Sequence, residues 1–222
     1  MTAAMATAAA RAGRLPGVMI LSYTGVMTMT ELTGRGTGRR ERRWRMLRWA
    51  AGAVLLSVPW VMMQVSTEWN WRPESFLVFG AMLAVALGAY ELAVRISDSA
   101  AYRIAVGLSI VAAFALVWMN LAVGIIGSED NPANLMYVGV LAVGAIGAIL
   151  ACGRPGAMAR ALLATALAQA VLAVVALTVW RHEPPGPMPI LALNGAFVVV
   201  FLGAAGLFRR ADRGRIATEA GF

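Results

Sequence analysis

Of the 222 residues, 60% are hydrophobic and only 14% are charged, with a mean hydropathy of +0.72. A soluble domain of this size cannot bury so much apolar surface, which excludes an ordinary globular enzyme or binding module. The net charge of +8 rests on 19 basic residues that are all arginine, and since no folded basic domain is visible, nucleic acid is not expected as a partner.

The chain opens with a segment unlike the rest. Residues 1–45 are rich in Ala, Gly, Thr and Arg, and seven arginines lie between Gly34 and Arg48. This composition predicts a disordered cytoplasmic tail whose basic end contacts anionic lipid headgroups, each arginine near the surface contributing about 1 kcal/mol. Within it, Leu15–Thr30 is moderately apolar but interrupted by Ser22, Thr24, Thr28 and Thr30. A seventh span or a signal-peptide core are the alternatives there; the stretch is short for a span and lacks a convincing small-x-small cleavage site. Translation from Met27, Met29 or Met46 is a further alternative.

Six apolar runs follow, Trp49–Val65, Phe76–Val94, Ile104–Ile126, Leu135–Cys152, Ala161–Trp180 and Ile190–Phe208. Each is close to the ~20 residues that cross a hydrocarbon core as a helix. Backbone polar groups find no water in lipid, so the runs must be helical, and their continuity excludes a β-barrel. The expected fold is an all-α membrane protein of six transmembrane helices in an antiparallel up-down bundle with short loops. The domain spans 46–210, and 211–222 forms a short tail.

Arginine orients the bundle. Nine precede the first run, Arg95 and Arg103 flank the second loop, Arg154 and Arg160 the fourth, and Arg209, Arg210, Arg213 and Arg215 follow the last run. The remaining loops carry only Arg72 and Arg181. Positive residues favour the cytoplasmic side, so both termini are expected inside a bacterial inner membrane. Aromatic residues fit belts at the two interfaces, with Trp60, Trp69, Trp71, Tyr137 and Trp180 outside and Trp44, Trp49, Tyr90 and Tyr102 inside. Pro59 is expected to kink the first helix.

Small-residue stripes predict close helix contacts or self-association: Gly80, Ala84 and Gly88 in the second run, Gly144, Ala148 and Cys152 in the fourth. Leu121–Gly127 (LAVGIIG) and Leu141–Gly147 (LAVGAIG) are similar enough to raise an internal repeat, though such strings recur easily in spans.

The loop between the third and fourth runs, Gly127-Ser128-Glu129-Asp130-Asn131-Pro132, carries the densest polar cluster. Gly127 suits an αL helix closure, Asn131 an N-cap and Pro132 the first helical position. Ser128, Glu129, Asp130 and Asn131 also form a candidate outer acidic surface for a cation or cationic partner, although no calcium-loop spacing is present. The surrounding segment from Trp118 through Gly144, WMNLAVGIIGSEDNPANLMYVGVLAVG, resembles one in a family of small, uncharacterised multi-pass proteins of the bacterial inner membrane. The resemblance extends from about Met46 to Arg210 and implies membrane integration without implying an activity.

Inside the runs, Glu91 is the one deeply placed acid, with Arg95 in the favourable i,i+4 order. Glu91, Asn120, Gln169 and Asn194 together form a candidate polar pathway; helix-to-helix hydrogen bonds and snorkelling are the structural alternative. His182 reads as a loop residue and Cys152 as a buried structural thiol. With no lysine, one histidine and one cysteine, a retinal Schiff base, a bis-histidine haem, a Ser–His hydrolase and a His/Cys zinc site all lack their residues. No cofactor, metal or catalytic residue is therefore expected. The function this favours is a non-enzymatic accessory or envelope-related membrane protein, able to bind a protein partner or itself. A small transporter or channel is the alternative, and a lipid-modifying enzyme comes third.

Overall fold

The computed structural model describes residues 16–66, 71–128, 130–180, 182 and 184–221, with side chains from residue 41 onward. The elements are α1 (Pro16–Val65), α2 (Pro73–Val94), α3 (Ala100–Ala122), a 3₁₀ turn (Pro132–Leu135), α4 (Met136–Ala151), α5 (Pro155–Val179) and α6 (Pro187–Glu219). No strand occurs among the described residues. Six helical segments are long and apolar enough to cross a membrane: Glu41–Val65, Pro73–Val94, Ala100–Ala122, Pro132–Ala151, Pro155–Val179 and Pro187–Glu219. The chain is an all-α, multi-pass membrane protein.

The helix boundaries differ from the apolar runs for local reasons. α2, the 3₁₀ turn, α5 and α6 each begin with proline in the first turn, three to six residues before the run does. Proline is suited there because its missing N–H would have no intrahelical partner. α3 starts at an N-cap, Ser99, whose side chain accepts from Tyr102 N. Arg103 then reaches back, donating to Ser97 O at 3.0 Å, Val94 O at 3.3 Å and Asp98 Oδ1 at 2.7 Å. One guanidinium thus closes the end of α2 and braces the start of α3.

α3 stops at Ala122, not at Ile126 as expected. Val123 N and Gly124 N both donate to Met119 O, and Gly124 takes φ +73°. Gly127 is also left-handed, at φ +71°, but lies in the loop and does not close the helix. Leu121–Gly127 therefore unwinds, whereas Leu141–Gly147 is interior to α4, so the two similar strings are not structurally equivalent.

Both ends of the chain are more helical than predicted. Residues 16–45, expected as disordered tail, lie in α1, and residues 1–15 lie outside the described ones. Within 16–45, the Met, Leu, Glu and Arg residues favour a helix while the five glycines and five threonines do not, so the helix propagates from the adjoining apolar span. α1 passes through Pro59 as one helix. α6 continues from its apolar part to Glu219, where Arg215 bridges Asp212 at 3.2 Å and Glu219 at 2.9 Å along the exposed face.

The chain divides into two compact units, Met1–Val58 and Pro59–Phe222. In the second unit, α5 and α6 share the largest interface, followed by α4 with α5 and α3 with α6, while α2 packs on α3. The buried core accordingly comes from α3 to α6 and includes Leu116, Ile190, Phe201 and Phe208. α2 is held by rings at one end: Phe79 lies 4.6 Å from Trp118 and 5.7 Å from Phe114, and Trp71 lies 5.3 Å from Trp118, centroid to centroid.

Small residues set the α4–α5 spacing. A Cβ on Gly147 would lie 2.6 Å from Ala161 Cβ, and one on Gly144 would lie 3.2 Å from Thr165 Oγ1. The predicted stripe Gly144–Ala148–Cys152 thus gives way to a contact centred on Gly144 and Gly147. The predicted stripe on α2 behaves differently, because a Cβ on Gly88 would meet nothing within 4 Å.

Candidate functional site

Three polar side chains meet in the core. Asn194 on α6, Gln169 on α5 and Tyr137 on α4 are all fully or almost fully buried. Tyr137 Oη donates to Asn194 Oδ1 at 3.1 Å, and Gln169 Nε2 donates to the same oxygen at 2.8 Å. Asn194 Nδ2 donates to Ile190 O at 2.7 Å, one turn earlier on α6. The triad lies nearer the end of the bundle that carries the 123–131 and 180–186 loops. Asn194 is about 10 Å along α6 from Pro187, and Gln169 about 15 Å along α5 from Val179.

Those two loops are joined, and the first is internally fixed. Gly127 N donates to Pro184 O at 2.8 Å. Asn134, buried in the 3₁₀ turn, accepts from Ile125 N at 3.1 Å and Ile126 N at 3.0 Å. Its amide donates to Ile126 O at 3.2 Å and Ser128 O at 2.7 Å. One side chain therefore satisfies the backbone that α3 abandons when it unwinds, and this lets Ile125 and Ile126 turn inward and bury. Asn131 is the predicted N-cap, accepting from Ala133 N at 2.9 Å. Ser128 and Asp130 are exposed, and Glu129 lies outside the described residues. No group of three or more His, Cys, Asp or Glu side chains with metal-binding geometry exists among the described residues.

The four residues of the candidate pathway separate. Gln169 and Asn194 are joined directly. Asn120 instead donates to Leu116 O on its own helix at 2.7 Å, and its Oδ1 is buried without a partner. Glu91 is one turn from the opposite end of the bundle, 3.9 Å from Arg95. α3, which connects the two ends, has 23 residues and is about 35 Å long. Hydroxyls in the spans close on their own helices: Ser109 on Ala105 O, Thr165 on Ala161 O and Thr178 on Val174 O. Chemically the triad can hold helices in register and offer hydrogen bonds; its members are neutral.

Three sequence expectations are corrected here. Tyr137 and Tyr102, expected in the aromatic belts, are both buried: Tyr137 in the triad and Tyr102 edge-on to Phe208 at 5.2 Å. An aromatic residue near a span end fits either environment, and packing decides. Cys152, expected to be buried, is exposed at the C-cap of α4 with φ +46°. Asn134 and Tyr137 do not stand out in the sequence as organising residues; the signal for them is three polar or aromatic positions, 134, 137 and 194, each within about two turns of a helix end on the same side.

No protein family, curated protein or solved structure matches this chain.

Proposed function

We propose that this chain is a non-enzymatic accessory protein of the bacterial inner membrane, with both termini cytoplasmic and a fixed loop surface on the outer side for a protein partner or a second copy of itself. The closure of the intramembrane polar groups carries this reading. Gln169, Asn194 and Tyr137 bond one another, the hydroxyls bond their own helices, and Glu91 sits at the other end of the bundle, so the polar residues do not line up as a conduit. A loop surface braced by Asn134 and the Gly127–Pro184 hydrogen bond suits docking, because its backbone is ordered before a partner arrives. The orientation is supported by the arginine distribution, and the inner-membrane location by the resemblance of Trp118–Gly144. The exposed arginines at 42, 43 and 45 suit contact with anionic headgroups.

The test is affinity purification of the full chain from native membranes in mild detergent, alongside a variant carrying Ser128→Arg and Asp130→Arg in the exposed loop. The expected result is a stoichiometric partner, or a homo-oligomer, that the variant loses while keeping its Tm. A solitary chain that instead supports solute flux in proteoliposomes, abolished by Glu91→Gln, would replace this reading with transport.

A further inference from the structure

The triad leaves one atom unaccounted for. Gln169 is completely buried, and its Oε1 has no hydrogen-bond partner. The amide cannot be turned to relieve this. Asn194 is fixed by Ile190 O, which requires an N–H and therefore keeps Nδ2 on that side and Oδ1 toward Gln169 and Tyr137. Turning the Gln169 amide would set Oε1 against Asn194 Oδ1, two acceptors face to face. Thr165, one turn away on the same face of α5, has already committed its proton to Ala161 O. Lipid supplies no donor, so an orphan acceptor at this depth is costly unless something fills it.

We propose that the Tyr137–Asn194–Gln169 cluster is a binding site for a small, neutral hydrogen-bond donor that donates an O–H to Gln169 Oε1. The cluster still offers acceptors, the unpaired Gln169 Oε1 and the lone pairs of Tyr137 Oη, together with one remaining N–H each on Gln169 Nε2 and Asn194 Nδ2, so a hydroxyl, which both donates and accepts, suits it. A cationic donor does not suit the site, because every hydrogen-bond partner in the cluster is neutral and a buried cation would lack a counter-charge. The donor is a hydroxyl from one of two sources, an enclosed water molecule or the hydroxyl of a lipid or other small alcohol. This site does not depend on the accessory reading above.

Gln64 and Gln169 are the chain's two glutamines, and Gln64 is exposed. Glutamine-selective ¹³C labelling of the full chain in bilayers therefore isolates Gln169 once Gln64→Leu assigns the pair. In water-edited solid-state NMR, the Gln169 carboxamide carbon is expected to receive polarisation from water protons, which identifies enclosed water. Absence of that transfer, together with a stoichiometric alcohol in mass spectra of the purified protein whose removal shifts the Gln169 resonance, also supports the site and identifies an organic occupant. Absence of both water transfer and a co-purifying alcohol overturns the proposal.

Discussion

Asn194 holds three hydrogen bonds in the buried core, and its loss exposes an asymmetry in how such bonds count. Asn194→Leu removes one acceptor and strands two buried donors, Tyr137 Oη and Gln169 Nε2. The expected cost is about 2–4 kcal/mol, since each stranded group forfeits its desolvation. Tyr137→Phe removes a donor and leaves Asn194 Oδ1 still bonded to Gln169, so about 1 kcal/mol is expected. Thermal unfolding in detergent reads both, and equal Tm values for the two variants would contradict the assignment of Asn194 as the hub. Part of this was legible in the sequence: Gln169 and Asn194 stand out as amides inside apolar runs. Their partner Tyr137 does not, because a tyrosine in the first turn of a span suits a headgroup as well as a core. Asn134 is less legible still, since its role depends on the loop backbone that α3 leaves unpaired four residues before the apolar run ends.

At the level of elements, composition specifies where helices are, and local chemistry specifies where they begin and stop. The six spans follow from run length alone. The start at Pro132 follows from the Asn131-Pro132 pair, whereas α2, α5 and α6 begin at Pro73, Pro155 and Pro187, three to six residues before the apolar runs that locate them. The early stop of α3 is not legible, because Val123, Ile125 and Ile126 continue an apolar pattern and only the burial of Ile125 and Ile126 against Asn134 sets the segment apart from helix. Packing between elements turns on two glycines. Gly147→Val pushes into Ala161, whose backbone Cα also lies 3.2 Å from the site of a Cβ, so α4 and α5 must separate. A loss of about 2–3 kcal/mol is expected from such overpacking. Gly139→Ala, on the same helix where a Cβ meets nothing within 4 Å, is expected to be neutral or to raise Tm slightly, because alanine favours a helix. A lower Tm for Gly139→Ala than for Gly147→Val would contradict the α4–α5 interface.

At the scale of the whole molecule, the buried polar groups are enclosed and not strung into a path. Cys152 is the single cysteine, so a Cys152→Ala background gives a clean chain for accessibility labelling. Thr165→Cys places a thiol one turn from Gln169, at a buried position, with a side chain close in size to the one it replaces. Ser128→Cys, in the exposed loop, reports that reagent reaches the face proposed to be outer. A small, membrane-impermeant, thiol-reactive cation applied to intact inner-membrane vesicles of each orientation is the measurement that tests the central claim most directly. The proposed orientation predicts that the thiol at 128 reacts from the outer side only, and the closed packing around the triad predicts that the thiol at 165 stays unmodified from both sides until the protein is denatured. Rapid modification at 165 from either side, in folded protein, would show a water-filled route to the triad and contradict the account.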